Sequence, residues 1–308
     1  MNGSLGRGTL IVAALLSTLP GPVRAQGAGS GATTVLRLSP DPRALALGHA
    51  WAAVRDPAAV EFNPAGMTGP ASIMASYQSL PLDVAAGSAL LVVPVGRVAV
   101  GASLRYLDYG DVPVIEEQSG LPVGSPTGGV ASGSEVSALV GAALALGPVR
   151  VGIASRWIRQ DVAGLSDGTA AVDAGMIWGP VAWLDLGASV QHLGPDVEAG
   201  RAAPLPRTVR VGAAVRHRLG PVDVRVVGEV REREERRGAG FGIEGGTGGE
   251  GFAAVLRLGY ETRPDPGDAF APLVVGGGLS LGPLAVDLAW RALGPLGSTR
   301  QVGLRYRF

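Results

Sequence analysis

An all-β chain that closes as a fourteen-stranded antiparallel transmembrane up-and-down β-barrel, with a short N-terminal helical plug segment, is the fold this sequence predicts. Three observations carry it. From Ala71 onward, segments of about ten residues alternate apolar with small or polar side chains. Tight Gly-Pro turns fall on alternate connections only, and beyond the first 25 residues no apolar run is long enough to cross a bilayer as a helix.

The composition narrows the function classes. The chain of 308 residues carries 26 basic and 26 acidic side chains, so a nucleic-acid partner, which calls for a surplus of Lys and Arg, is not expected. It has no cysteine, which removes both a disulfide framework and a thiolate metal site. Forty-nine glycines, 46% hydrophobic residues and 17% charged residues suit a soluble all-β protein or a membrane barrel.

Residues 1–25 read as a cleaved secretory signal. Arg7 precedes an apolar stretch from Thr9 to Leu19, Pro20 breaks it, and Val23 and Ala25 supply the small-residue spacing before Gln26. That stretch is about half the length a membrane helix needs. The expected organisation is therefore signal 1–25, plug segment 26–70 and barrel 71–308, in the bacterial outer membrane.

The alternating segments fall at residues 71–80, 85–94, 97–109, 135–146, 149–162, 169–178, 181–193, 207–219, 222–233, 239–246, 252–263, 271–281, 284–293 and 299–308. "LGPVR", "WGPVAW", "LGPVD" and "LGPLA" join segments 4 to 5, 6 to 7, 8 to 9 and 12 to 13, where Gly with positive φ and Pro with fixed φ suit a tight turn. All four lie on one rim of a meander. The long connections, 110–134, 163–168, 194–206 and 263–270, lie on the other, as in barrels with short periplasmic turns and long external loops.

Two faces separate along the strands. Val209, Val211, Ala213, Val215 and Leu219 oppose Arg210, Gly212, Ala214, Arg216 and Arg218; in the last strand Val302, Leu304, Tyr306 and Phe308 oppose Gln301, Gly303, Arg305 and Arg307. The second face mixes charge with glycine and alanine, which suits a lumen rather than a sandwich core. Tyr106, Trp157, Tyr260 and Trp290 fall on the apolar face as a girdle toward one interface, and Trp178, Tyr306 and Phe308 toward the other. Trp183 falls on the lumen parity.

Ahead of the strands, residues 42–56 fit a short helix with Asp41 as N-cap and Pro42 at its first position; Pro57 stops it, and Asn63-Pro64 reads as a turn. The order "ALGHAWAAVRDPAAV", then "FNPAG", then a strand meander ending in "LAVDLAWRALGPLGSTRQVGLRYRF", resembles the PorV/PorQ family of outer-membrane proteins. That family is related to the FadL-type long-chain fatty-acid channels. The resemblance rests on Leu47 to Gly66 and Asp287 to Phe308. It implies a plug folded into the lumen, with Asn63, Pro64, Ala65 and Gly66 at the passage to the first strand. His49 and Met67 depart from the usual Gly and Leu, and the external loops are short for a member that binds secreted cargo. The ending "LRYRF", with Tyr306 and Phe308, resembles the signal read by the barrel-assembly machinery.

No HExxH, GxSxG or Walker pattern appears, so no catalysis, cofactor or metal is expected. His49, His192 and His217 are scattered. Asp111 to Gly120 lacks the spacing of a calcium loop, and Glu229 to Gly238 reads as the solvated tip of strand 9. Arg156, Arg210, Arg216 and Arg225 are candidate lumen contacts for a fatty carboxylate, weighed against pairing with Asp223, Glu229 and Asp287. Gly245, Gly246, Gly248 and Gly249 mark a candidate kink in strand 10.

Two functions follow as expectations. One is an accessory barrel of protein secretion, with lipid, the barrel-assembly machinery, and secreted cargo or secretion-system proteins as partners. The alternative is a FadL-like passive channel for hydrophobic small molecules such as long-chain fatty acids.

Overall fold

The computed structural model describes residues 33–116, 125–198, 203–249, 251–262 and 272–308. The signal-peptide expectation lies outside the described residues. Fourteen strands form one closed antiparallel ring in sequence order, with β1 pairing both β2 and β14. They are β1 Ser72–Ser79, β2 Ala85–Val95, β3 Val98–Glu116, β4 Ser125–Leu146, β5 Val149–Val162, β6 Leu165–Val181, β7 Leu184–Leu193, β8 Thr208–Leu219, β9 Val222–Arg233, β10 Arg236–Gly249, β11 Phe252–Glu261, β12 Leu273–Leu281, β13 Leu284–Ala292 and β14 Ser298–Arg307. Closure leaves no unpaired edge, the condition for a sheet to sit in hydrocarbon.

The alternation has the expected sense. Val209, Val211, Val226, Val230, Val302 and Leu304 face outward and are exposed, while Thr208, Arg210, Ala214, Val227, Glu229 and Gln301 face inward and are buried. The outward face is thus an apolar band. Tyr106, Trp157, Tyr260, Trp290, Trp178, Tyr306 and Phe308 all stand exposed on it.

One rim carries only tight connections. Gly147, Gly220 and Gly282 have φ of 63°, 59° and 54°, and each is followed by a proline; a positive then a negative φ is the sign sequence of a type II′ hairpin turn, whose twist matches the strands it joins.

Several local expectations are corrected. In "WGPVAW" the turn lies at Ala182–Trp183, because Pro180 has no N–H for the ladder and Gly179-Pro180 forms a bulge opposite Asp185 instead. Trp183 is therefore an exposed turn residue rather than a lumen one. The connection after β5 is only Ala163–Gly164, with φ of 50° and 83°. Most of 110–134 is not loop: β3 and β4 continue as a hairpin past bulges at 108–111 and 113–115. β10 pairs with both neighbours in unbroken register, so its glycines make no kink.

The helix is short. α1 spans Pro42–Ala46, with Asp41 accepting from the amides of Arg43 (2.6 Å) and Ala44 (3.1 Å) as predicted. It stops there because Gly48 and His49 both take positive φ, 65° and 58°, and reverse the chain. Residues 57–61 and 64–66 are short 3₁₀ turns.

Residues 33–70 lie against the inward-facing positions around the whole ring. α1 packs on β11 to β14, the turn Pro57–Glu61 on β2 and β3, and the turn Pro64–Gly66 on β4 to β6. Ala44, Leu47, Trp51, Ala53, Val54, Ala59 and Phe62 join Ala214 and Val227 of the wall in one apolar cluster.

Candidate functional site

The lumen segment is held by wall glycines as much as by side chains. A Cβ on Gly152 would strike the Ala65 amide, one on Gly187 the Ala52 carbonyl, one on Gly240 the Gly48 carbonyl, and one on Gly175 the Asn63 side chain. The segment's backbone therefore lies directly on the wall at these points, which is why the inward face is rich in glycine.

Asn63 is fully buried and uses every polar atom. Its Oδ1 accepts from the Ala65 amide (3.2 Å), capping the turn Pro64–Gly66. Its Nδ2 donates to the carbonyls of Ala52 (2.6 Å), Met176 (3.2 Å) and Ala188 (3.3 Å), so it pins the segment to β6 and β7. Pro64, Ala65 and Gly66 are buried, and Arg150 donates to the carbonyls of Ala65 (3.0 Å) and Met67 (2.5 Å). β1 begins at Ser72, so the motif seats the segment before the chain reaches the wall.

Carboxylates supply the second set of anchors. Glu229 accepts from the amides of Trp51 (2.9 Å) and Ala52 (2.8 Å), and Glu135 from those of Thr34 (3.0 Å) and Val35 (2.7 Å). Glu61 pairs with Arg156 at 3.1 Å and Arg105 at 3.4 Å. Burial pushes the Glu61 carboxyl up, but the two guanidiniums outweigh it and hold it at about 2. Arg43 joins Asp56 and Glu244, both at 2.7 Å, and Asp56 also takes Arg305 at 3.0 Å.

The four candidate lumen arginines all lie beside carboxylates. Arg156 is on Glu61 and Asp173, Arg210 on Glu229 at 2.5 Å, Arg216 on Asp185 at 2.9 Å and Arg225 on Glu244 at 3.6 Å. Asp287 takes Arg257 at 2.6 Å, and Asp223 lies exposed beside Arg218. Glu229 and Arg231 are buried lumen residues, and only the Glu234–Glu235 turn and its flanks form the exposed tip. Tyr306 and Phe308 make an edge-to-face contact at 5.0 Å on the outer face.

Two features of the long-loop end were not visible in the sequence. Val35 and Leu36 form an apolar cluster with Leu107, Ile158, Ala171, Val197 and Leu205, roofed by the β7–β8 connection. Beside it the β6–β7 ladder breaks: Val172 pairs Leu193 and Ala174 pairs Val190, so Asp173 faces both Gln191 and His192. His192 takes φ 60°, its amide donates to Asp173 Oδ1 (2.7 Å) in place of a ladder bond, and its ring bonds the Pro206 carbonyl (2.9 Å). The sequence signal was Asp173, an acid inside an apolar strand.

No family model and no curated protein matches this chain. Solved structures do. The Ralstonia pickettii toluene transporter TbuX aligns with TM-score 0.59 and 15% identity over 87% of this chain and 98% of its own. The CymD monoaromatic hydrocarbon channel aligns with TM-score 0.58 and 11% identity over 87% and 97%, and a Pseudomonas aeruginosa FadL homologue with 0.51 and 11% over 84% and 95%. At these identities the likeness is one of fold. The chain has the barrel fold of the FadL-type outer-membrane transport proteins.

Proposed function

We propose that the protein is a non-catalytic outer-membrane channel for small hydrophobic molecules, with the long-loop rim outside the cell. The observation that carries the reading is the apolar cluster at that rim lying beside the break in the β6–β7 ladder. The centre of the lumen is filled by residues 33–70, pinned by Asn63 and the buried ion pairs, so a straight path is closed. In this reading a solute enters among Val35, Leu36, Val197 and Leu205 and leaves sideways past His192 into the bilayer, and the buried Asp173, Gln191 and His192 that fill the break move aside to let it pass.

The carboxylate environment favours neutral solutes. Glu135 faces the cluster and carries hydrogen bonds from Tyr109 (2.6 Å) and Gln160 (3.1 Å) but, among the described residues, from no arginine side chain, whereas the lumen arginines lie deeper and beside acids. Monoaromatic hydrocarbons, named for two of the compared channels, fit better than fatty acids.

The secretion role implied by the PorV/PorQ resemblance gains nothing from the compared structures, and the connections after β5 and β9 are two-residue turns. Uptake of radiolabelled toluene and oleate by cells with and without the protein, combined with mass spectrometry of co-purifying proteins, separates the readings. Toluene uptake that depends on the protein supports the channel. Uptake unchanged by its loss, with secreted proteins co-purifying, overturns it.

A further inference from the structure

The outer face of β10 to β14 is not a smooth apolar wall. Level with one another across the strands stand Tyr77, Val302, Leu288, Gly277, Leu256, Gly245 and Val224. Large and small side chains alternate, so two notches open at Gly277 and Gly245 on either side of Leu256, which is 77% exposed. The groove reaching from Gly277 toward Trp290 and Arg300 has a volume of about 560 Å³, and the one that shares Gly277, Leu256 and Leu288 with it and reaches Gly245 about 480 Å³; almost all their lining is apolar. The ladders beneath are unbroken, so these are surface grooves and not gaps in the wall.

The Gly277 groove has a charged head. Arg300 lines it, outward-facing on β14, paired across strands with Trp290 and Ser79. Among the described residues no carboxylate pairs with it: the exposed acid pairs belong to Arg159, Arg218 and Arg237. An arginine facing hydrocarbon is costly at mid-depth and cheap near an interface. Its level with Trp290, toward the long-loop rim, places it where lipid headgroups lie.

We infer that this face is a specific binding site for a phosphorylated, multiply acylated lipid of the leaflet at the long-loop rim. The phosphate takes the Arg300 guanidinium, which presents a planar fork of donors. One acyl chain lies in the Gly277 groove, and a second lies beyond Leu256 over Gly245. Charge fixes the head and the paired notches fix the tails. The inference rests on the membrane-spanning reading of the barrel and is independent of what the channel carries.

The test is native mass spectrometry of the folded protein in mixed micelles containing equal amounts of a bisphosphorylated lipid A disaccharide and its dephosphorylated counterpart. The wild type retains the phosphorylated lipid about tenfold over the other. Arg300→Gln removes that preference. Gly245→Leu, which adds a side chain where the nearest atom to a new Cβ is 3.9 Å away, weakens retention of both lipids, and heat-dependent gel mobility confirms the fold of each variant. Equal retention of the two lipids by the wild type overturns the inference, as does a preference untouched by Arg300→Gln. Neither result bears on toluene uptake.

Discussion

Arg156 on β5 and Glu61 in the lumen segment form an ion pair at 3.1 Å, with side chains 0% and 1% exposed. Asp173 and Ser137 also accept from the Arg156 guanidinium, at 3.2 and 3.0 Å. Removing Arg156 leaves the buried Asp173 without a guanidinium and Glu61 with Arg105 alone, a loss of about 3–5 kcal/mol. Arg156→Ala is therefore expected to lower the melting temperature sharply, while Arg156→Ala combined with Asp173→Asn recovers part of the loss. Circular dichroism melts in detergent check this; a double variant no better than the single one would contradict it.

Asn63 caps one turn and reaches three carbonyls. Asn63→Ala is expected to cost about 2–3 kcal/mol from unsatisfied buried groups. Asn63→Asp keeps the cap acceptor at Ala65 but loses all donors, so it should recover little. Hydrogen exchange read at residues 52–67 reports the effect. Unchanged protection in both variants would show that the packing, not the amide, seats the segment.

Wall glycines make a geometric prediction. Gly187→Val places bulk where the Ala52 carbonyl lies, and the backbone cannot yield there as a flexible side chain would. The segment is expected to lift from β7 while the barrel closes normally. Planar-bilayer recordings should show ionic conductance in the variant and none in the wild type. A silent variant with normal gel mobility would refute it.

His49 sets a pH dependence. Burial pushes its imidazole down to about 4, against the pull of Glu261, while Arg291 and Arg231 add repulsion. A released segment has the ordinary value of about 6.5, so it takes up the proton first, and the stability of the packed segment falls as pH drops from 6.5 toward 4. Asp41, raised to about 6 chiefly by burial, works in the opposite sense within that window. The contrast with His49→Asn isolates the effect, since Asn tolerates the φ of 58°. Between pH 7.5 and 5 the variant should lose about 2 kcal/mol less than the wild type. An identical response in both would contradict this.

The barrel was legible because its signals are local. Alternation marks each strand, and Gly-Pro marks the short rim, so β8 and β14 could be faced correctly residue by residue. The turns at Ala182–Trp183 and Ala163–Gly164 were misplaced locally; the other failures depended on contacts across the ring. Residues 47–56 look helical by pattern, but Gly48 lies where any Cβ would meet the Phe241 and Tyr260 carbonyls, and the chain turns there instead. Asn63 was visible as a turn residue, yet its carbonyl partners at 176 and 188 lie more than 100 positions away. The mating of lumen glycines with the segment's backbone depends on strand level, which no single strand reveals.

The central claim is that solute leaves sideways at the β6–β7 break while the lumen segment stays seated. The chain has no native cysteine, so disulfides can be placed cleanly. The decisive measurement is toluene uptake by two cysteine pairs, Ala46→Cys with Ala289→Cys, neighbours in one buried cluster, to lock the segment, and Val172→Cys with Leu193→Cys to seal the break, each oxidised and reduced. The account predicts that locking the segment leaves uptake intact and that sealing the break abolishes it until the disulfide is reduced. Uptake lost on locking the segment and preserved on sealing the break would contradict it.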